Sequence, residues 1–259
     1  MLGALQSDFK RLFTSPKFWG SIFGTALIYL LNASCLGADA FHDFASLLDA
    51  SAAPFFQLVV LIFAALPFGT VFCEDWDNRY IRCAVMRTSL KKYLASKFIS
   101  CFIGALCVGA LGMLLMLVVS IPFLQDLTFS QQNPMIVVAI QNPTGINWLA
   151  AHGWMPVWVI FISVIRSFLG CIYAGLALLV STKITNTFVT LAMPVIGYAI
   201  YQNVISFINI PDFLRSNFLS QNIDFSVGYT VIAFILTFAV CFIFLALFYR
   251  SARRKLANE

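Results

Sequence analysis

Charge is scarce in this chain. Only 10% of its 259 residues are charged, where a soluble domain carries roughly 25%. The mean hydropathy is +0.89 and 61% of the residues are hydrophobic. Such a chain cannot face water on all sides, so an integral membrane protein with a single membrane domain and no sizeable soluble one is expected. Acids are scarcest where it matters most. None of the eleven Asp and Glu falls inside the long apolar runs, which disfavours a proton-coupled carrier, whose intramembrane carboxyl groups bind and release the proton. Cation sites built from backbone carbonyls are left open by this argument. Histidine is nearly missing, with only His42 and His152, and the patterns GxxxxGK[ST], HExxH and GxSxG do not occur. The chain therefore has no phosphate-binding loop of its own, and an intramembrane enzyme would lack its acid, base and nucleophile. Asp39, His42 and Asp43 lack a fourth metal ligand and a closing motif, so a solvated loop is the simpler reading. Seven cysteines form no CxxC pair and read as small apolar residues, not as a disulfide framework or a zinc site. The net charge of +5 arises beside membrane segments, where it reports orientation and implies no nucleic-acid partner.

What the chain does have is long apolar runs. Six of them, at residues 18–37, 53–73, 98–124, 157–180, 187–208 and 227–249, are each near or above the roughly 20 residues that a crossing helix needs. Three Lys/Arg precede the first run, six lie between the second and third, one between the fourth and fifth, and four follow the last, so fourteen of sixteen share one side. The predicted fold is an all-α integral membrane domain over residues 1–259, with six transmembrane helices and both termini in the cytosol. Residues 1–16 place Leu2, Leu5, Phe9, Leu12 and Phe13 on one helical face, with Asp8, Lys10 and Arg11 elsewhere, as expected of a helix lying in the inner membrane interface. A cleaved signal is disfavoured, because the charged start is too long and Asn32 stands where lipoprotein processing at Cys35 would want an apolar residue. Ser15 and Pro16 supply an N-cap and a first-turn proline for the first span. Residues 125–156 carry no Lys or Arg and form the expected extracellular loop, with Trp148, Trp154 and Trp158 as an outer aromatic belt.

Two residues inside the spans stand out. Arg166 lies well within the fourth run, and burying it unpaired costs at least ~2.5 kcal/mol. Three readings stay open: contact with an anionic group of substrate or lipid, a bond to carbonyls of neighbouring helices, or a place near the interface. Pro194, with Gly197 one turn on, is expected to bend the fifth helix.

The longest charged stretch, residues 74–97, is the predicted cytosolic loop between the second and third spans. It holds Glu74, Asp75 and Asp77 and six Lys/Arg, among them Arg79, Arg82 and Arg87. Asp77 or Asn78 is placed to cap a short amphipathic helix whose Ile81, Ala84 and Val85 share a face. Acids at its start and arginines on its outer side suit a lever against which another protein pushes. The competing reading is that topology alone makes any inner loop basic.

The run FCEDWDNRYIR, a basic stretch and KKYLASK together resemble the inner loop of the type 2 ATP-binding-cassette transporter permease family. The matching positions are Glu74 or Asp75, Trp76, Ile81, Arg82, Tyr93 and Lys97. Arg79-Tyr80 stand where Gly-Thr is usual there, and Ser89-Leu90-Lys91 where Ser-Arg is usual. RSFLGCIYAGLALLVSTKITN and AMPVIGY are similar to the fourth and fifth helices of the small six-helix permeases of Firmicutes type. The resemblance implies a permease subunit of an ATP-driven exporter in a bacterial plasma membrane, paired with a second permease copy or a sister permease. It implies two separate ATP-binding-cassette ATPase subunits that carry ATP and Mg, this chain holding no cofactor. Glu74, Asp75, Trp76, Asp77, Arg79, Ile81, Arg82 and Arg87 would then form the coupling segment seated on the ATPase, and the cargo would be amphipathic: an antimicrobial peptide, a lipid-linked molecule or a hydrophobic compound. The alternative is a non-transporting membrane scaffold or sensor whose basic loop binds a partner or anionic lipid.

Overall fold

The computed structural model describes residues 2–35, 37, 41, 46–48, 54–124, 148–149, 152–207 and 227–257, and among them every regular element is a helix. Among the described residues nine α-helices carry the architecture: α1 (Leu2–Thr14), α2 (Pro16–Cys35), α3 (Pro54–Ala65), α4 (Val71–Asp77), α5 (Tyr80–Arg87), α6 (Leu90–Ser120), α7 (Met155–Ser181), α8 (Thr187–Phe207) and α9 (Val227–Ala257). Most of the loop expected at 125–156, together with Asp39, His42, Asp43 and Arg215, lies outside the described residues.

Among the described residues, four helices are long and apolar enough to cross a membrane: Pro16–Cys35, Leu90–Phe123, Pro156–Ser181 and Phe234–Leu256. The expected second span is interrupted. α3 stops at Ala65, ahead of Pro67, and the path resumes as α4 at Val71, because a proline inside a helix removes one backbone bond and clashes with the preceding turn. Turn bonds from Leu66 to Ile62, Gly69 to Ala65 and Glu74 to Thr70 carry the chain through the break. The expected uncharged run therefore continues as a helix into Glu74, Asp75 and Asp77, so the acids end this segment instead of opening the next. α8 is 21 residues long, but Gln202, Asn203 and two threonines dilute its apolar character. It runs unbroken through Pro194, which is buried.

α6 is the central mast. Its small residues let neighbours approach closely, as membrane helix packing requires. A Cβ added at Gly104 would meet Leu12 of α1 at 3.1 Å, one at Gly109 would meet Ser167 of α7 at 2.6 Å, and one at Gly112 would meet Thr25 of α2 at 2.7 Å. One core cluster joins Leu12, Phe18, Phe68, Phe72, Ile81, Leu94, Val108, Ala174 and Phe248, so it ties the short helices α1, α4 and α5 to the long ones. Ser15 accepts the Lys17 amide at 3.2 Å and opens α2 as its sequence suggests. Asn186 does the same for α8, accepting the Phe188 amide at 2.9 Å.

Arg166 donates to the Leu48 carbonyl. Of the three readings, the bond to a neighbouring backbone is the one this geometry realises.

Candidate functional site

The charged stretch folds as two short helices at a corner, not one. α4 buries Val71, Phe72, Cys73 and Asp75; α5 buries Ile81, while Ala84 and Val85 pack against the same core, as their spacing implies. Neither Asp77 nor Asn78 caps α5. Its N-cap is Arg79, in the left-handed region at φ 54° with no side-chain capping bond. The reason is the helix just before it: Asn78 is already spent closing α4, its backbone amide and side-chain Nδ2 both donating to the Glu74 carbonyl.

α4 is gripped on two sides. On one side stands an ionic seat. Arg11 donates to Asp75 at 2.6 Å and to Glu74 at 3.0 Å, and Lys17 donates to Glu74 at 2.6 Å. Lys97 lies between Asp8 at 2.8 Å and Asp75 at 2.9 Å, while the Tyr93 hydroxyl donates to Asp75 at 2.7 Å and Ser96 to Asp8 at 2.6 Å. The rings of Phe68 and Tyr93 flank the Lys97 ammonium at 5.5 and 5.3 Å. Lys97 is 1% exposed and Asp75 2%. Charges so deeply buried are tolerated only when paired and hydrogen-bonded, and here three acids meet three cations. On the other side α9 leans in. Phe72 stacks with Trp76 at 6.0 Å and meets Phe248 edge-on at 5.8 Å, and Lys255 stands 4.0 Å above the Trp76 ring.

Electrostatics follow this geometry. Burial works against the Asp75 carboxylate, but Lys97, the Tyr93 hydroxyl and Arg11 outweigh it and hold its pKa below the ordinary carboxylate value. Burial also works against the charge on Arg11, and Asp75 and Glu74 overcome it, raising its pKa.

The predicted residues thus separate into two groups. Glu74, Asp75, Trp76 and Ile81 are engaged inside the protein. Asp77 and Arg79 stand at the exposed tip with Asn78 and Tyr80, and Met86 projects from α5 with 81% of its surface exposed. Arg82 and Arg87 belong to α5, and their side chains lie outside those described. The cations Lys10, Lys91, Lys92, Lys183, Arg250, Arg253 and Arg254 are also exposed, while Asp8, Glu74 and Asp75 are drawn into the seat. Among the described residues no group of three or more His, Cys, Asp and Glu is placed to hold a metal.

Sequence reasoning missed Asp8, Arg11 and Lys17 as partners of this corner. Asp8 was assigned away from the apolar face of α1, yet it follows Leu5 by three residues and precedes Leu12 by four, which puts all three on one side. That spacing was the available signal. Tyr93 and Lys97, four residues apart on α6, converge on Asp75 by the same rule.

No protein-family model, no curated protein and no solved structure matches this chain.

Proposed function

We propose that this chain is the permease subunit of an ATP-driven exporter of amphipathic cargo in a bacterial plasma membrane. In this reading six segments cross the bilayer, the broken path over residues 54–73 and α8 joining the four long apolar helices, while both termini and the corner from Glu74 onward face the cytosol. The observation that carries it is the α4–α5 corner. A tip made of Asp77, Asn78, Arg79 and Tyr80 is exposed, while the helix behind it is tied by buried ion pairs to α1 and α6 and by aromatic contacts to α9. A push on such a tip reaches the long helices as a rigid-body displacement instead of being absorbed by a soft loop. The chain has no phosphate-binding loop of its own, so ATP and Mg belong on a separate ATP-binding-cassette ATPase, and a second permease, identical or a sister, completes the transporter.

The basic rim supports a second reading, a scaffold or sensor that uses its exposed cations to hold an acidic partner or anionic lipid. One experiment separates the two. The full chain in lipid nanodiscs is combined with ATP-binding-cassette ATPase subunits from the same organism, and complex formation and ATP hydrolysis are measured for wild type and for Arg79→Gly/Tyr80→Ala/Met86→Ala, which changes only the exposed surface. A wild-type complex lost in the variant, with thermal stability retained, is the expected result. A folded wild-type chain that binds no such ATPase overturns the transporter reading in favour of the scaffold.

A further inference from the structure

The ionic seat divides along the boundary of α1 into two parts that are each neutral. Asp8 and Arg11 belong to α1; Lys17, Glu74, Asp75 and Lys97 belong to the rest of the chain. If α1 is lifted away, Lys97 keeps Asp75 at 2.9 Å and Glu74 keeps Lys17 at 2.6 Å. Asp75 also keeps the Tyr93 hydroxyl and Glu74 the Thr70 hydroxyl. The two charges that leave are of opposite sign and leave together. Removing one member of a buried pair ordinarily strands its partner at high cost, and this arrangement avoids that outcome for α1 alone. The same does not hold for α4: withdrawing it removes both Glu74 and Asp75 and leaves Arg11, Lys17 and Lys97 with Asp8 as their one acid in the seat. Beyond its charges, α1 is seated by Leu12, which fills the space above Gly104 on α6, by Phe9 against the same core, and by Phe13 edge-on to Phe18 of α2. Leu5, Phe9 and Phe13 are half-buried or exposed, as suits a helix that also rests in a membrane interface.

From this we infer that α1 is a detachable clasp, closed in this structure, which can leave the α4–α6 seat while α4 and α6 stay joined. With α1 lifted away, α4 stays held by Asp75 through Lys97 and Tyr93, by Glu74 through Lys17, and by Phe72 and Trp76 against α9, so α1 can open as a unit of its own. This inference does not depend on the transport reading, since it concerns only contacts within the chain.

The test is hydrogen–deuterium exchange of the full chain in phosphatidylcholine nanodiscs, read on peptides covering 2–14, 71–77 and 90–100. In wild type, α1 amides are expected to exchange about tenfold faster than those of α4, as a separately opening unit does. Asp8→Asn and Arg11→Gln should each speed α1 exchange further while leaving α4 and the first turns of α6 unchanged. Asp75→Asn should strip protection from α4. The inference is overturned if α1, α4 and α6 exchange at one rate in wild type, or if either α1 variant loosens α4 together with α1. Failure of Asp8→Asn to fold would count against it as well, because Lys97 retains Asp75 in that variant, and Arg11→Gln and the wild-type comparison would still give a result.

Discussion

α6 and α9 are both 31 residues long and both strongly apolar, yet they live in different surroundings. Half of the apolar window of α6 is buried, against 17% for α9. The difference lies in side-chain size. α6 turns Gly104, Ala105, Gly109 and Gly112 toward its neighbours, and a small-residue surface admits another backbone where lipid would pack less well. α9 instead presents Ile235, Phe238, Phe242 and Ile243 outward, the bulky residues that fit loosely ordered acyl chains. α9 joins the packed core along one narrow face, through the buried Thr237, Cys241, Phe248 and Ala252, and at its far end Lys255 covers Trp76. Hydropathy alone marks both helices as crossing; the spacing of small residues tells which one the others are built around.

That contrast yields predictions that decrease in size. Lys97→Met should have the largest effect, because it leaves Asp8 buried without its cation and Asp75 with Arg11 alone: a loss of about 3–5 kcal/mol, read as a fall in the thermal midpoint of the purified protein. Next comes acid. Asp75 has a lowered pKa in the folded chain, so its contribution is present above the ordinary carboxylate value of about 4 and is lost as pH falls through that value toward the folded one. Thermal scans should show a steep acid limb below about pH 4 that Asp75→Asn flattens; an unchanged limb would mean that other groups control it. Gly109→Leu should then cost about 1–3 kcal/mol by forcing α6 and α7 apart at Ser167, and Gly112→Leu should do the same against Thr25. Phe242→Ala on α9 is expected to shift stability by no more than ~0.5 kcal/mol, as an exposed substitution does. A cost for Phe242→Ala equal to that for Gly109→Leu would erase the distinction between the two helices and point to a partner covering α9.

Much of this was legible in the chain before any coordinates. Apolar runs locate the long helices because length and hydropathy are local properties, and the Ile81, Ala84, Val85 face emerges from helical spacing. Ser15 caps where its chemistry says it should. What escaped was non-local. Pro67 divides an apolar run that looks continuous by composition, and nothing near Glu74 announces that its partners are Arg11 and Lys17, 63 and 57 residues earlier. Arg166 shows the same limit: the residue is conspicuous in sequence, but the Leu48 carbonyl that receives it carries no mark that could have been read in advance.

Arg79 alters how the corner should be probed. Its left-handed backbone is a conformation glycine adopts freely and other residues at some cost. Alanine scanning, the customary way to weigh a charge, would here change charge while keeping the conformational penalty of a Cβ, and any attempt by the chain to relieve it would move α5. Glycine removes the charge and leaves the turn at ease. A cation mounted on a glycine's backbone can thus be subtracted without disturbing what it stands on.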